Sequence, residues 1–153
     1  MDYLQVEQIK DVLDWLRSYH QQVANCYERS AEVSESARLR RLLSYLADHE
    51  HSLADSVANY EKIADSGVLN TWCYEFMARK PNLAETLCQA PVDIDRLSVD
   101  QLIEMSLNLH EQLIEFYRYL LSRAGSERVK ELFQSLIELE QSESWQLLQE
   151  TEG

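Results

Sequence analysis

The sequence predicts an all-α protein in which two antiparallel helical hairpins are joined by a long crossover. Gly and Pro number only 3 and 2 among 153 residues, too few for the turns of a β-sandwich or for glycine-rich nucleotide-binding loops. Apolar residues make up 45% of the chain, and in four segments they recur at steps of three and four. This spacing is typical of helices that bury one face, and the length suits a single domain.

The four predicted helices cover about residues 3–32, 37–66, 99–124 and 127–150. Ser36 and Ser126 are predicted N-caps, and Ser98 with Gln101 has the spacing of a capping box. Very short turns join the first helix to the second and the third to the fourth. We therefore expect one domain over residues 1–153, with a first hairpin at about 3–66, a crossover at 67–97 and a second hairpin at about 98–150.

Charge and cysteine content narrow the classes of partner and location. The net charge of −13 repels nucleic acid and anionic lipid, so neither is an expected partner. No apolar run is long enough to cross a membrane, and no export signal is visible. Three cysteines without a Cys-x-x-Cys motif, Cys26, Cys73 and Cys88, predict a reducing cytoplasm rather than a disulfide scaffold. Cys26 is predicted to be a small buried hydrophobe.

The two hairpins form an internal repeat with an offset of 90 residues. His20 aligns with His110, Tyr27 with Tyr117 and Glu50 with Glu140, each pair at the same spacing. Helical patterning alone accounts for matched leucines, but matched histidines and tyrosines are harder to obtain by chance. Two such hairpins would pack about a pseudo-two-fold axis.

Ionisable residues interrupt the apolar stripes at matched heights. His20, Glu50 and His110 each interrupt one of the first three predicted helices, and Glu140 and Glu143 interrupt the fourth. The predicted cluster has a charge of −3 with neutral imidazoles, and burying it requires compensation. Either one or two divalent cations (Fe, Mn or Zn) supply the positive charge, or protonated histidines and carboxylates form a metal-free polar network. Tyr27 and Tyr117 are predicted to hydrogen-bond the carboxylates.

At these residues the chain resembles the ferritin-like superfamily, and within it the rubrerythrin-type di-iron proteins. In that pattern two helices supply a Glu each and the other two a Glu-x-x-His each. Glu50 and Glu140 match the bridging glutamates. His20 and His110 stand where the other two glutamates are expected, and Leu53 and Glu143 stand where the two histidines are expected.

The resemblance implies a ferritin-like bundle with an altered, asymmetric metal site. In that site His110 and Glu143 are terminal ligands of one ion. Glu50 and Glu140 are bridging ligands shared with a weaker second metal position, and His20 is a ligand at that second position. Two functions remain open at this point. One is a metal-binding, redox or iron-handling protein with an unknown electron donor. The other is a bundle that has lost the di-iron site and serves as a non-catalytic dimerising or partner-binding module.

A homodimer is the expected assembly in either case. Aromatic residues that would cover a dimer face are Trp15, Trp72, Tyr3 and Tyr74.

Overall fold

A computed structural model of the protein describes residues 7–73 and 96–152. The described chain is all-α, as the sequence predicts, and four long helices account for most of it. In chain order the elements are β1 (Glu7–Gln8), α1 (Ile9–Val33), α2 (Ala37–Ile63), α3 (Ser66–Leu69), β2 (Trp72–Cys73), α4 (Val99–Arg123) and α5 (Glu127–Glu152). Helix α1 packs along α2, and α4 packs along α5.

Helix α1 begins at Ile9, whereas the sequence predicts a start near residue 3. Gln8 is extended and its backbone N–H donates to the Asp11 carboxylate at 2.9 Å. This bond satisfies one of the donors near the start of the helix. Glu7 and Gln8 belong to β1 instead, and residues 1–6 lie outside the described chain.

The predicted caps of the other three long helices are in place. Ser36 Oγ accepts from the backbone N–H of residue 39 at 3.2 Å, and Ser126 Oγ accepts from that of residue 129 at 3.3 Å. Ser98 and Gln101 form the reciprocal capping box. Each serine therefore satisfies a donor that the first helical turn leaves without a partner.

The core lies between the apolar faces of the four long helices. The spacing of apolar residues in α4 predicts an inward face that contains Ile103, Leu107 and Ile114, and of these three only Ile114 is buried. Leu102, Leu109 and Leu113 are buried, whereas Ile103 and Leu107 are only partly buried. Apolar residues cover a wide arc of α4, so their spacing alone does not identify the centre of the face that packs inward.

A two-residue antiparallel ladder ties the start of α1 to the segment that follows α2. Glu7 lies opposite Cys73, and Gln8 lies opposite Trp72. Strands this short carry no periodicity, and the sequence did not predict them. Most of the predicted crossover at 67–97 falls outside the described residues.

The cysteines differ from the sequence expectation. Cys26 is buried as predicted, but it is disulfide-bonded. The expectation that the cysteines stay reduced is therefore wrong for Cys26. Cys73 is a buried thiol, and Cys88 lies outside the described residues. The predicted cytoplasmic location stays a prediction.

Within residues 7–73 and 96–152, no helix combines the length and the apolar character that a membrane crossing requires.

Loss of the α2 cap should destabilise the fold measurably. We expect Ser36→Ala to lower the free energy of unfolding by about 1 kcal/mol, because the amide that bonds to Ser36 Oγ loses its acceptor. The measurement is urea denaturation followed by circular dichroism. Ser44→Ala is the matched control, since Ser44 is exposed in the middle of α2. Equal stability changes in the two variants would contradict the capping role.

Candidate functional site: a buried His–Glu ring

Four ionisable side chains meet in the core, one from each long helix. His20 comes from α1, Glu50 from α2, His110 from α4 and Glu140 from α5. Their exposed fractions are 0%, 3%, 5% and 0%. These side chains point into the core because each lies on the apolar face of its helix, one turn away from a leucine on the same face. We call these four residues the His–Glu ring.

The ring is closed and its two halves are alike. Within the first hairpin, His20 Nδ1 lies 2.6 Å from Glu50 Oε1. Within the second, His110 Nδ1 lies 2.6 Å from Glu140 Oε1. Two further contacts cross between the hairpins, from His20 Nε2 to Glu140 Oε2 at 3.0 Å and from His110 Nε2 to Glu50 Oε2 at 3.3 Å. Every imidazole nitrogen thus faces one carboxylate oxygen.

This geometry determines how many protons the ring holds. A nitrogen and an oxygen that both carry lone pairs repel each other, so each of the four contacts needs a proton between its atoms. Two carboxylates and two singly protonated imidazoles supply only two protons and a charge of −2. Two more protons fill all four contacts and bring the ring charge to zero. The ring therefore contains two imidazolium–carboxylate pairs rather than neutral histidines.

The electrostatics of the ring agree with this count. Burial alone lowers the pKa of His20, but the Glu140 and Glu50 carboxylates outweigh it and raise that pKa to about 9. The pKa of His110 is also raised well above its ordinary value by the same two carboxylates, against the effect of burial. Burial raises the pKa of Glu50, but His20 and His110 lower it to about 2. The pKa of Glu140 is lowered for the same reason.

The two predicted tyrosines take different positions beside the ring. The Tyr117 hydroxyl donates to Glu140 Oε2 at 3.4 Å. Tyr27 is fully buried, but its hydroxyl has no hydrogen-bond partner within the described residues. The repeat therefore places two equivalent phenols at the ring, and one of them bonds a ring carboxylate directly.

Glu143 does not join the ring. Its Oε2 lies 2.7 Å from His49 Nδ1, in a half-buried pair between α5 and α2. The imidazole of His49 contacts the Tyr45 ring in a tilted arrangement, with the two centroids 4.2 Å apart. Because His49 and His51 each point about 100° away from Glu50 around the helix, the sequence predicts that both lie at the surface or at an interface. His51, on the other flank of the ring glutamate, forms an exposed pair with Glu28.

The donor types of the ring suit a metal ion, but their present contacts do not. Imidazole and carboxylate are ligands for Fe, Mn and Zn. In the described part of the chain, however, no three or more His, Cys, Asp or Glu side chains are arranged to hold an ion. Each imidazole nitrogen of the ring already directs a proton at a carboxylate. An ion that took a ring imidazole nitrogen as a ligand would displace the proton on that nitrogen.

The ring should give the protein a defined pH range of greatest stability. The pKa of His20 rises from 6.5 to about 9 on folding, so its contribution is complete below pH 6.5 and is lost as the pH rises through 9. The pKa of Glu50 falls from 4.5 to about 2, so its contribution is complete above pH 4.5 and is lost as the pH falls through 2. We expect His20 alone to lower the free energy of unfolding by about 3 kcal/mol between pH 6.5 and 9.5, and His110, whose pKa is also raised, adds to that fall.

Urea denaturation at a series of pH values measures this profile. His51→Gln is the control, because His51 pairs with a carboxylate but lies at the surface. The control variant should retain the decline above pH 6.5. A flat profile in that range, or a decline that disappears in His51→Gln, would show that the ring is not its source.

Glu140 and Glu143 should differ sharply although they lie one helical turn apart. Glu140→Gln leaves an uncompensated buried imidazolium, and we expect a loss of about 3–5 kcal/mol in the free energy of unfolding. Glu143→Gln disturbs only a partly exposed pair and should cost about 1 kcal/mol or less. Thermal and urea denaturation at pH 6 measure both variants. Similar losses would mean that Glu143 shares the buried site.

Comparisons with known proteins do not assign the ring to a family. The chain matches no family model, no curated protein and no solved structure. A functional assignment therefore rests on the contacts of the ring and on the surface around it.

Proposed function

We propose that the protein is a ferritin-like four-helix bundle that has exchanged a metal centre for the His–Glu ring and acts as a non-catalytic, dimerising or partner-binding module. The observation that carries the proposal is the closure of the ring. Its four nitrogens and four oxygens are matched one to one. All four imidazole nitrogens face carboxylate oxygens and carry the protons between them, so no nitrogen lone pair is left for an ion, and the ring serves to hold the helices together.

Two contacts between the hairpins support the ferritin-like arrangement. Asp65, just after α2, pairs with Arg128 at the start of α5. His49, in the first half of α2, pairs with Glu143 in the second half of α5. Helices α2 and α5 therefore run in opposite directions. Because α4 is antiparallel to α5, α2 and α4 run in the same direction, and such a pair needs a crossover between them.

Charge counting supports the exchange of metal for protons. The pattern that the sequence resembles has four glutamates and two histidines, a charge of −4 that two divalent cations balance. The ring has two glutamates and two histidines, a charge of −2 that two protons balance. Replacing two carboxylates with His20 and His110 thus removes the charge that would demand metal and supplies the bases that hold the protons.

The proposed association uses the exterior of the bundle. Trp145 on α5 is 62% exposed, and Trp72 is 53% exposed. Exposed tryptophans are frequent anchors of protein interfaces. Trp15, which the sequence suggests for a dimer face, is partly buried and packs against the core, and Tyr3 and Tyr74 lie outside the described residues. The homodimer and a further protein partner are both part of the proposal.

Metal analysis and replacement of the ring test the proposal together. The full chain is purified without chelator, its Fe, Mn and Zn contents are measured, and its melting temperature is recorded at pH 7 with each ion added. We expect substoichiometric metal and no thermal shift. A metal site would instead stabilise the fold by about 2.7 kcal/mol at a hundredfold excess of ion over its Kd.

The matched variant replaces the whole ring with apolar side chains. It carries His20→Leu, Glu50→Leu, His110→Leu and Glu140→Leu. Because a complete buried ion-pair network can be replaced without leaving an unpaired charge, we expect a folded protein of equal stability or about 1–4 kcal/mol greater stability. Its sedimentation behaviour should equal that of the unmodified chain. Stoichiometric metal in the unmodified chain that is absent from this variant would overturn the proposal in favour of a metal protein.

A further inference from the structure

A pocket of about 270 Å³ lies where the segment that contains β2 meets the turn between α4 and α5. Residues 71–73 line one side of it and residues 123–125 line the other. The remaining lining belongs to the core, and it includes Ile9, Leu120 and Phe133, which are each 1% exposed. The backbone N–H of Ile9 donates to the carbonyl of Thr71 at 2.8 Å, so the first side is fixed to the start of α1.

The one ionised side chain among the described residues that line this pocket is a cation. Arg123 lies at its edge, although Asp and Glu outnumber Lys and Arg by 27 to 14 in the chain. The Arg123 guanidinium contacts the Tyr119 ring, with Cζ 5.4 Å from the ring centroid, and no carboxylate of the described chain pairs with it. A guanidinium has five N–H donors in a geometry that matches a carboxylate. The pocket therefore offers an apolar interior and a positive edge.

The internal repeat is broken at the edge of this pocket. With the offset of 90 residues, Arg123 corresponds to Val33 and Gly125 corresponds to Glu35. The turn of the first hairpin thus carries a carboxylate, whereas the turn of the second carries a cation and a residue without a side chain. The backbone at Gly125 is not in the left-handed region, and a Cβ atom there would meet no other atom within 4 Å. The turn does not require glycine, and the missing side chain leaves open space beside Arg123.

We propose that this pocket binds a small apolar monocarboxylate, with its hydrocarbon chain against the core side chains and its carboxylate on Arg123. Ligand sites typically combine a mostly apolar lining with a few polar groups that fix the orientation of the ligand. The volume of about 270 Å³ equals that of about nine water molecules in the liquid, which suits a straight-chain carboxylate of about six to eight carbons. A cationic ligand of the same size would be repelled by Arg123. No residue of the His–Glu ring lines the pocket, so this binding is additional to the proposed association and is tested separately from it.

A series of carboxylates of increasing length tests the apolar part of the site. The full chain is titrated at pH 7 with butanoate, hexanoate, octanoate and dodecanoate, and binding is measured by calorimetry. We expect one equivalent of octanoate to bind, with an affinity that rises about fourfold for each methylene up to octanoate and does not rise further to dodecanoate, because the pocket is then full. Absence of saturable octanoate binding would overturn the proposal. So would more than one equivalent, or an affinity that rises with the same slope as far as dodecanoate, because either result indicates adsorption to an open surface.

Replacement of the arginine tests the charged part of the site. Arg123→Gln should weaken octanoate binding by about two- to fivefold, the range for an exposed ion pair, and should leave the binding of neutral octanol unchanged. Arg118→Gln is the matched control, because Arg118 lies on the same helix but pairs with Glu115 and does not line the pocket. An equal loss for octanoate and octanol in Arg123→Gln, or an equal loss of octanoate binding in Arg118→Gln, would overturn the assignment of the carboxylate to Arg123.

Filling the open space at the turn tests the location of the ligand. Gly125→Leu should fold, because a side chain has room there, and it should weaken octanoate binding by about tenfold, since part of the hydrocarbon chain no longer fits. Glu35→Leu is the matched control, because it adds the same side chain at the equivalent turn of the first hairpin and should leave binding unchanged. Unaltered octanoate binding in a folded Gly125→Leu variant would overturn the proposal. If that variant does not fold, the comparison of octanoate with octanol in Arg123→Gln decides the outcome.

Discussion

The structure depends on keeping the summed charge of four ionised groups at zero inside an apolar core. Unpaired, each buried charge of the His–Glu ring would cost several kilocalories per mole. Paired in a closed ring, the charges cancel, and each proton lies between two heavy atoms that both favour it. This constraint also relates the two hairpins. His20 and His110 each contact a carboxylate of their own hairpin and one of the other, so sliding one hairpin along the other would break two contacts at once.

The internal repeat explains why the ring closes so evenly. In each hairpin the histidine and its own glutamate are 30 residues apart, and both pairs join Nδ1 to Oε1 at 2.6 Å. A short turn of the same length fixes the register of each antiparallel pair, so the repeat places equivalent atoms at equivalent heights. Two of the differences between the halves lie one helical turn from a ring residue, where Ser106 stands for Leu16 and Glu143 stands for Leu53.

The spacing of apolar residues along each helix predicts that four ionisable side chains meet in the core. It does not predict how each helix is rotated about its own axis. His20, Glu50, His110 and Glu140 each lie on an apolar face of a helix, and the repeat places them at matched heights, so the packing of those faces brings the four side chains together. Glu143 follows Glu140 by three residues, which turns its side chain by about 60° around the helix. That angle directs it at His49 on α2. Whether Glu143 faces the ring or His49 depends on how α5 is rotated relative to α2. The residue spacing within a single helix carries no information about that rotation. The β1–β2 ladder was missed for a related reason, because two-residue strands have no pattern.

Protons and metal ions compete for the same atoms of this centre. The lone pairs of two imidazoles and two carboxylates can bind either protons or a metal ion. The species that occupies more of these lone pairs at neutral pH is the one that binds. Two protons complete all four contacts of the ring, because each imidazolium donates from both nitrogens at once. A metal ion would take one nitrogen from an imidazole and leave the pairing of its carboxylate partner incomplete. With Glu143 held by His49 and Leu53 unable to coordinate, no further ligand within the described chain compensates for that loss. In the proposed exchange of metal for protons, the lack of a fifth ligand at the ring among the described residues favours protons more than any single substitution does.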